Sequence, residues 1–279
     1  MRARLVSAAG VLVVLRDIFH TLLHPAGHGE LSRAVMRAVW YVARRSGRTG
    51  MRLAGPLSML TVISTWAALT MLGWALVYLP HLPQSFSYAP GLDPAQRSVV
   101  ADALYLSLVV GATLGFGDLV PVPGWLRLVT PLQALMGFAL FTASVTWVLQ
   151  IYPALGRRRA LAVRLRLLVE QQVQAADLPA STMHSLAADL VAVRVDLQQY
   201  AETYYFHDGP ATSLAAVLPA VSALAQAAAG DDDRRRRTAG ATLHGAVLEL
   251  TGLLDAQYLE TGGSPEEVMA AYGRDHHRR

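Results

Sequence analysis

The sequence contains no cysteine, no lysine and no asparagine, and it has few charges. The absence of cysteine excludes disulfides, thiolate metal sites and cysteine nucleophiles. Charged residues make up 16% of the chain, against about a quarter in soluble domains, whereas 53% of the residues are hydrophobic. This composition indicates a membrane protein. All 24 basic residues are arginine, and together with the abundant alanine this bias is typical of a GC-rich bacterial genome.

Motifs for catalysis and phosphate binding are also missing. We find no catalytic triad or carboxylate pair at a convincing spacing, and no glycine-rich phosphate loop. We therefore expect neither an enzyme nor an organic cofactor. The net charge of +4 and the pI near 9.6 are compatible with nucleic-acid binding. However, the arginines cluster beside apolar segments, as membrane topology requires, so we expect no nucleic-acid partner.

Two uncharged apolar segments are long enough to cross a bilayer. Residues 57–79 would form roughly 34 Å of helix at about 1.5 Å per residue, and residues 128–152 are slightly longer. The hydrocarbon core of a bilayer is about 30 Å thick. A third apolar segment, residues 98–112, is too short to cross and contains Asp102. We expect it to form a re-entrant half-helix.

Arginines precede the first span and follow the second, which predicts that both flanks are cytoplasmic and that the half-helix enters from outside. The location expected is a bacterial inner membrane with a cytoplasmic C-terminal domain. The residues concerned are Arg33, Arg37, Arg44, Arg45, Arg48 and Arg52 before the first span, and Arg157, Arg158, Arg159, Arg164 and Arg166 after the second. Contact with anionic membrane lipids is a further role for Arg157, Arg158 and Arg159.

The first apolar segment, residues 5–23, leaves two interpretations open. Arg16 and Asp17 at its centre each cost about 3 kcal/mol in a bilayer, so the segment either spans with its N-terminus outside or does not cross. Asp17, His20 and His24 are spaced as one helical face would require. They are compatible with a Zn²⁺ site, a pH sensor or simple anchoring near the bilayer edge.

Residues 31–48 predict an amphipathic helix. At about 100° per residue, one face carries arginines and the opposite face carries apolar residues. The first set is Arg33, Arg37, Arg44 and Arg48, and the second is Leu31, Val35, Val39 and Val42. This pattern predicts an interfacial helix lying on the membrane, with a basic helix of a small cytoplasmic bundle as the alternative.

Beyond Tyr152 the pattern is helical and lacks the alternation of strands. The fold class expected is an all-α membrane protein with three parts. These are N-terminal helices over residues 1–55, a pore-forming part over residues 56–155, and a cytoplasmic all-helical domain over residues 156–279.

The segment with distinctive chemistry is Thr-Leu-Gly-Phe-Gly-Asp at residues 113–118. It follows the half-helix and must lie at membrane depth, where irregular backbone is tolerated only inside protein or beside a watery path. Gly115 and Gly117 permit positive φ angles, so that successive carbonyls can turn to one side. A column of such carbonyls is a cation site, and the C-terminal end of the half-helix adds negative potential.

Residues 103–108 and 113–118 resemble the pore helix and the T-V-G-Y-G-D signature of the potassium-channel pore family. The resemblance covers residues 57–152. It implies that four chains surround one axis as a homotetramer and that filter carbonyls replace the hydration shell of K⁺. It also implies that Gly117 completes the outer mouth, while Asp118, with Tyr105, supports the loop through a hydrogen bond to the pore helix. The K⁺ ligands implied are the hydroxyl of Thr113 and the carbonyls of Thr113, Leu114, Gly115 and Phe116.

Three residues depart from the family pattern. Leu114 stands for valine and Phe116 for tyrosine, and Ala112 stands where a hydroxyl residue often precedes the filter. The lost hydroxyls weaken the prediction of strict K⁺ over Na⁺ selectivity. The prediction is a bacterial potassium channel. The alternatives are a weakly selective cation channel, or a non-conducting membrane sensor with a vestigial pore.

Gly137 resembles the hinge glycine of the family's inner helix. A glycine in a membrane helix more commonly permits close packing, but the resemblance raises the gating hinge to an equal interpretation. The sequence leaves a gating hinge and a packing contact as equal interpretations.

Overall fold

The structure is a computed structural model that describes residue 16 and residues 29–276. The predicted Asp17, His20 and His24 site therefore lies outside the described residues, as does the question of whether the first segment spans. The chain divides into two compact units. We call the one built around Met59–Val148 the loop unit, and the one formed by Met36–Ser58 and the residues from Leu149 onward the bundle unit.

The described chain contains eight α-helices and two short strands. The helices are α1 Glu30–Arg45, α2 Gly47–Tyr78, α3 Val99–Gly111, α4 Gly124–Glu170, α5 Ala180–Gln199, α6 Leu214–Ala229, α7 Arg234–Leu254 and α8 Pro265–His276. The strands are β1 Phe86–Tyr88 and β2 Leu119–Pro121. Short 3₁₀ turns occupy Leu79–His81, Pro94–Gln96, Ala175–Asp177 and Ala201–Tyr205, and one π turn occupies Asp255–Leu259.

Two of these helices, α2 and α4, are long and apolar enough to cross a membrane by length and composition. They contain the two spans that the sequence predicts. Between them, α3 begins at Ser98, whose side-chain oxygen accepts a hydrogen bond from the backbone N–H of Ala101. Its 13 residues correspond to the predicted half-helix. Whether that helix re-enters a membrane remains a prediction.

The two strands differ from the all-α expectation. They pair antiparallel, with Tyr88 opposite Leu119 and Phe86 opposite Pro121. Each strand has only three residues, which is too short for a visible alternation of apolar and polar side chains. The pairing connects the segment before α3 to the segment directly after residues 113–118.

The buried face of α1 is not the one that the helical wheel predicts. Met36 and Trp40 are buried, whereas Val42, predicted to be on the apolar face, is 61% exposed. Trp40 packs against the rings of Tyr205 and His276 in the bundle unit. This packing supports the alternative of a basic helix in a helical bundle, while an interfacial location of the helix stays a prediction.

The C-terminal helix α8 is attached to α1 through one carboxylate. Asp275 accepts hydrogen bonds from Trp40 Nε1 at 3.2 Å, Arg44 Nη1 at 2.6 Å and Tyr204 Oη at 2.7 Å. Burial, followed by the charge of Asp275, raises the pKa of Tyr204, so its hydroxyl remains a neutral donor. Arg44, which the wheel assigns to the solvent face, is thus part of this contact.

Helix α4 runs through the domain boundary that the sequence predicts, and the two units divide within the same helix, between Val148 and Leu149. The helix continues without interruption from Gly124 to Glu170, so the expected boundary between residues 155 and 156 falls inside it. The arginines beyond Tyr152 face carboxylates of the bundle unit. Arg157 pairs with Asp196 at 2.6 Å, and Arg158 with Asp208 at 2.7 Å. Because the Arg158 side chain is only 3% exposed, it is not available to lipid headgroups.

Candidate functional site

Helix α3 is held at its N-terminal end by a small polar group. Asp102 is buried and accepts hydrogen bonds from Arg97 Nε at 2.9 Å and from Tyr88 Oη at 3.0 Å. Burial and the hydrogen bond to Asp102 raise the pKa of Tyr88 to about 12, so the phenol remains a donor at neutral pH. The acid that seemed out of place in an apolar segment therefore has both a charge partner and a neutral donor.

The loop after α3 has the backbone alternation that the glycines predict. Thr113 has φ 59°, Gly115 has φ 58° and Gly117 has φ 77°, whereas Leu114 and Phe116 between them do not have positive φ. Alternating signs of φ rotate successive peptide groups, which is the condition for carbonyls to face one side. The positive angle at Thr113 was not predicted, since that residue is β-branched.

The first residues of this loop are bonded to the last turn of α3. The backbone N–H of Thr113 donates to the carbonyl of Val110, and that of Leu114 donates to the carbonyl of Val109, both at 2.9 Å. These carbonyls belong to the helix end, where no further helical amides follow. The loop thereby uses the free carbonyls of α3, and the position of α3 determines where the loop begins.

The other end of the loop is fixed by Asp118. Tyr105 Oη on α3 donates to Asp118 Oδ2. The backbone N–H of Leu119 donates to Asp118 Oδ1 at 3.1 Å, and the backbone N–H of Ala89 donates to the Asp118 carbonyl at 2.8 Å. The hydrogen bond from loop to helix that the resemblance implies is thus present, while a supporting role in conduction stays a prediction.

The side chains of the loop are largely uncovered by the described residues. Leu114 is 59% exposed and Phe116 is 64% exposed, and residues 112–117 are all exposed. Large apolar side chains in such a position normally mark a contact surface. Further copies of the chain are one arrangement that would cover them.

Gly137 lies against the end of α3. A Cβ atom built on Gly137 would be 2.0 Å from the carbonyl oxygen of Gly111, a distance that no real side chain allows. Of the two interpretations left open by the sequence, the structure therefore provides direct support for close packing. A hinge role stays a prediction.

One group of residues in the loop unit was missed by the sequence analysis. Gln133 on α4 is fully buried, and its amide bonds to Ser107 on α3 and Tyr78 on α2. The signal was available, because a polar side chain inside an apolar span nearly always faces protein rather than lipid. Among the described residues there is no cluster of His, Cys, Asp or Glu that could hold a metal ion.

Comparison with known proteins agrees with this geometry. A family described as "Ion channel" matches residues 65–152, which include α3, the loop, the C-terminal part of α2 and the N-terminal part of α4. The match supports an ion channel and a membrane location, and it favours transport over enzymatic catalysis.

A relative from a bacterium is less informative about function. The "Uncharacterized membrane protein YdjJ" of Bacillus subtilis (strain 168) is 32% identical over 148 residues, which cover 52% of this chain and 42% of the relative. Less than half of that relative is therefore spanned by this chain. No solved structure matches the chain.

Proposed function

We propose that this protein is a potassium-selective channel of a bacterial inner membrane, assembled from four copies. Residues 113–117 of each copy would line one axis, with the carbonyls of residues 113–116 and the hydroxyl of Thr113 replacing the hydration shell of K⁺. No covalent chemistry and no organic cofactor are required. K⁺ is the permeant ion, and membrane lipids surround the two spans.

The observation that supports this proposal most strongly is the loop itself. It combines alternating positive φ angles at Thr113, Gly115 and Gly117 with anchors at both ends. A short helix precedes it whose C-terminal end carries the negative end of the helix dipole. Cations are favoured at such an end, as they are in membrane proteins with broken helices.

Assembly of several copies is supported by the loop carbonyls and the exposed apolar side chains of a single chain. A single loop presents carbonyls from one side only, whereas a dehydrated K⁺ needs ligands all around it. Exposed Leu114 and Phe116 would be buried by neighbouring copies. The cytoplasmic position of the C-terminal part is supported by the arginines on both outer flanks of the spans.

The test is K⁺ flux into proteoliposomes, with Na⁺ as the competing ion. The wild type is compared with Gly115→Ala, which places a side chain at φ 58°, and with Gly245→Ala as a matched control. Gly245 is helical, has an ordinary φ and has open space around its Cβ position. We expect flux that prefers K⁺, is lost in Gly115→Ala and persists in Gly245→Ala.

Other outcomes of the flux experiment would favour one of the alternative functions. Equal K⁺ and Na⁺ flux would indicate a weakly selective cation channel, which Ala112 and Phe116 favour. Absence of flux together with a monomeric or dimeric mass in detergent would overturn the proposal in favour of a non-conducting membrane sensor. A tetrameric mass is expected for a channel.

A further inference from the structure

A buried amide joins the three helices that surround the start of the loop. Gln133 Nε2 on α4 donates to the Ser107 carbonyl and to Ser107 Oγ on α3, both at 2.9 Å. Tyr78 Oη on α2 donates to Gln133 Oε1 at 2.7 Å. Ser107 Oγ in turn donates to the Met71 carbonyl on α2, also at 2.7 Å.

The orientation of the Gln133 amide follows from the chemistry of its partners. A backbone carbonyl can only accept, so the nitrogen of the amide has to face Ser107. The oxygen then faces Tyr78, whose hydroxyl donates. Both amide protons and the amide oxygen are used, and the side chains of Gln133, Ser107 and Tyr78 are fully buried. The group is thus satisfied internally, as an apolar environment requires.

The connection to the loop is short. Gly111 lies one helical turn beyond Ser107, and Gly137 lies one turn beyond Gln133, so α3 and α4 touch at two successive turns. The amides of Thr113 and Leu114 then bond to the last turn of α3. A displacement of α3 relative to α4 would therefore move the first residues of the loop.

We propose that Gln133 is a positioning residue for ion selectivity, an inference that rests on the proposed channel function. Through Ser107 and Tyr78 it fixes the pore helix α3 between α2 and α4. The spacing of the loop carbonyls, and with it the preference for K⁺ over Na⁺, depends on this fixation. Gln133 does not touch the ion.

The test measures the permeability ratio of K⁺ to Na⁺ from reversal potentials in planar bilayers. Gln133→Met removes the amide and keeps an unbranched side chain of similar size, while Tyr78→Phe removes only the hydroxyl. Gln199→Met and Tyr41→Phe make the same changes at exposed positions outside the loop unit. Thermal unfolding of each variant in detergent is measured in parallel.

We expect Gln133→Met to lower the K⁺ to Na⁺ ratio about tenfold and Tyr78→Phe about threefold, because the first change removes the three hydrogen bonds of Gln133 to Ser107 and Tyr78 and the second removes one of them, each bond being of modest energy. The double variant should equal Gln133→Met alone, since both changes remove the same bond. The two control variants should keep the wild-type ratio. If Gln133→Met does not assemble, the permeability ratios of Tyr78→Phe and Ser107→Ala test the inference instead.

Two results would overturn the inference while leaving the channel function intact. One is an unchanged ratio in Gln133→Met with only the melting temperature lowered, which would make the group purely structural. The other is a double variant whose loss is the product of the single losses. A wild type without K⁺ preference would contradict the proposed function itself, and the inference with it.

Discussion

The contacts within the loop unit differ in kind from the contacts within the bundle unit. In the loop unit, the buried contacts are neutral hydrogen bonds, such as those of Gln133, and close approaches at glycine, such as Gly137 against Gly111. The bundle unit adds ion pairs, some of them at its surface, whereas packed aromatic rings occur in both units. Its ion pairs include Arg44–Asp275, Arg157–Asp196, Arg158–Asp208, Arg159–Asp208 and Arg164–Asp189.

This difference agrees with the proposal that the loop unit crosses the membrane and that the bundle unit lies in the cytoplasm. A charge costs about 3 kcal/mol at the centre of a bilayer, so a unit that crosses a membrane has to be cohesive without charges. The described part of the loop unit does contain an ion pair, Arg97–Asp102. This pair lies at the N-terminal end of α3. A unit in water has no such restriction. Changes of charge should therefore act on the bundle unit, and changes of shape on the loop unit.

The largest effect is expected for Asp208→Ala. The side chain of Asp208 accepts from Arg158 and Arg159, and its loss leaves the buried Arg158 without a carboxylate. Removing one partner of a buried ion pair costs about 3–5 kcal/mol. Hydrogen exchange of the full chain in detergent should show lost protection in residues 180–276. Asp232→Ala, at an exposed position, is the control, and equal loss in residues 99–148 would contradict the comparison.

Gly137→Ala should damage the loop unit by shape alone. The added methyl group would overlap the Gly111 carbonyl, and overpacking of this kind costs about 1–3 kcal/mol. We expect loss of K⁺ flux and weaker exchange protection in α3, with Gly245→Ala close to wild type. Altered flux with unchanged protection in α3 would instead favour the hinge interpretation of Gly137.

Asp275→Asn should weaken the attachment of α8 to α1. The carboxylate accepts from Trp40, Arg44 and Tyr204, and an amide can present only one oxygen to these three donors. Loss of charged hydrogen bonds of this kind costs about 1–3 kcal/mol. The melting temperature should fall, and exchange in α8 should rise. Asp189→Asn, in an exposed pair with Arg164, should change little. A similar fall in both variants would argue against the attachment.

The smallest effect is expected for Asp255→Asn, and it depends on pH. The hydroxyl and backbone N–H of Thr261, with the backbone N–H of Gly262, lower the pKa of Asp255. A lowered pKa means that this contribution to stability is present above the unfolded pKa of about 3.9 and is lost as pH falls through the folded pKa. Melting temperatures between pH 3 and pH 7 should therefore fall less steeply in the variant. Parallel curves would contradict this.

Much of the loop unit could be predicted from the sequence because its signals are local. Long uncharged runs predicted α2 and α4, and the alternating glycines allowed the positive φ found at Gly115 and Gly117. What could not be predicted depends on contacts between distant residues. The pairing of Tyr88 with Leu119, and the bond between Gln133 and Tyr78, join segments whose proximity no local pattern reveals.

In the bundle unit, the wrong buried face of α1 has the same cause, which is contact with residues distant in the sequence. The helical wheel of α1 places charge on one side, but it does not show which residues meet a partner. Trp40 is buried because tyrosines and His276 surround it, and those residues lie more than 150 positions away in the sequence. The boundary expected after residue 155 lies within α4, and the two units divide nearby, between Val148 and Leu149.

The positive φ of Thr113 has a consequence for the whole loop. A β-branched residue in the left-handed region is strained, at a cost of order 1–3 kcal/mol, and in four copies this cost would occur four times. Glycine would relax the backbone but would lack the hydroxyl proposed to bind K⁺. The strained backbone of the loop is restrained by the amides of Thr113 and Leu114 at one end and by Asp118 at the other. Release of either restraint would let the stored energy move the carbonyls from their positions.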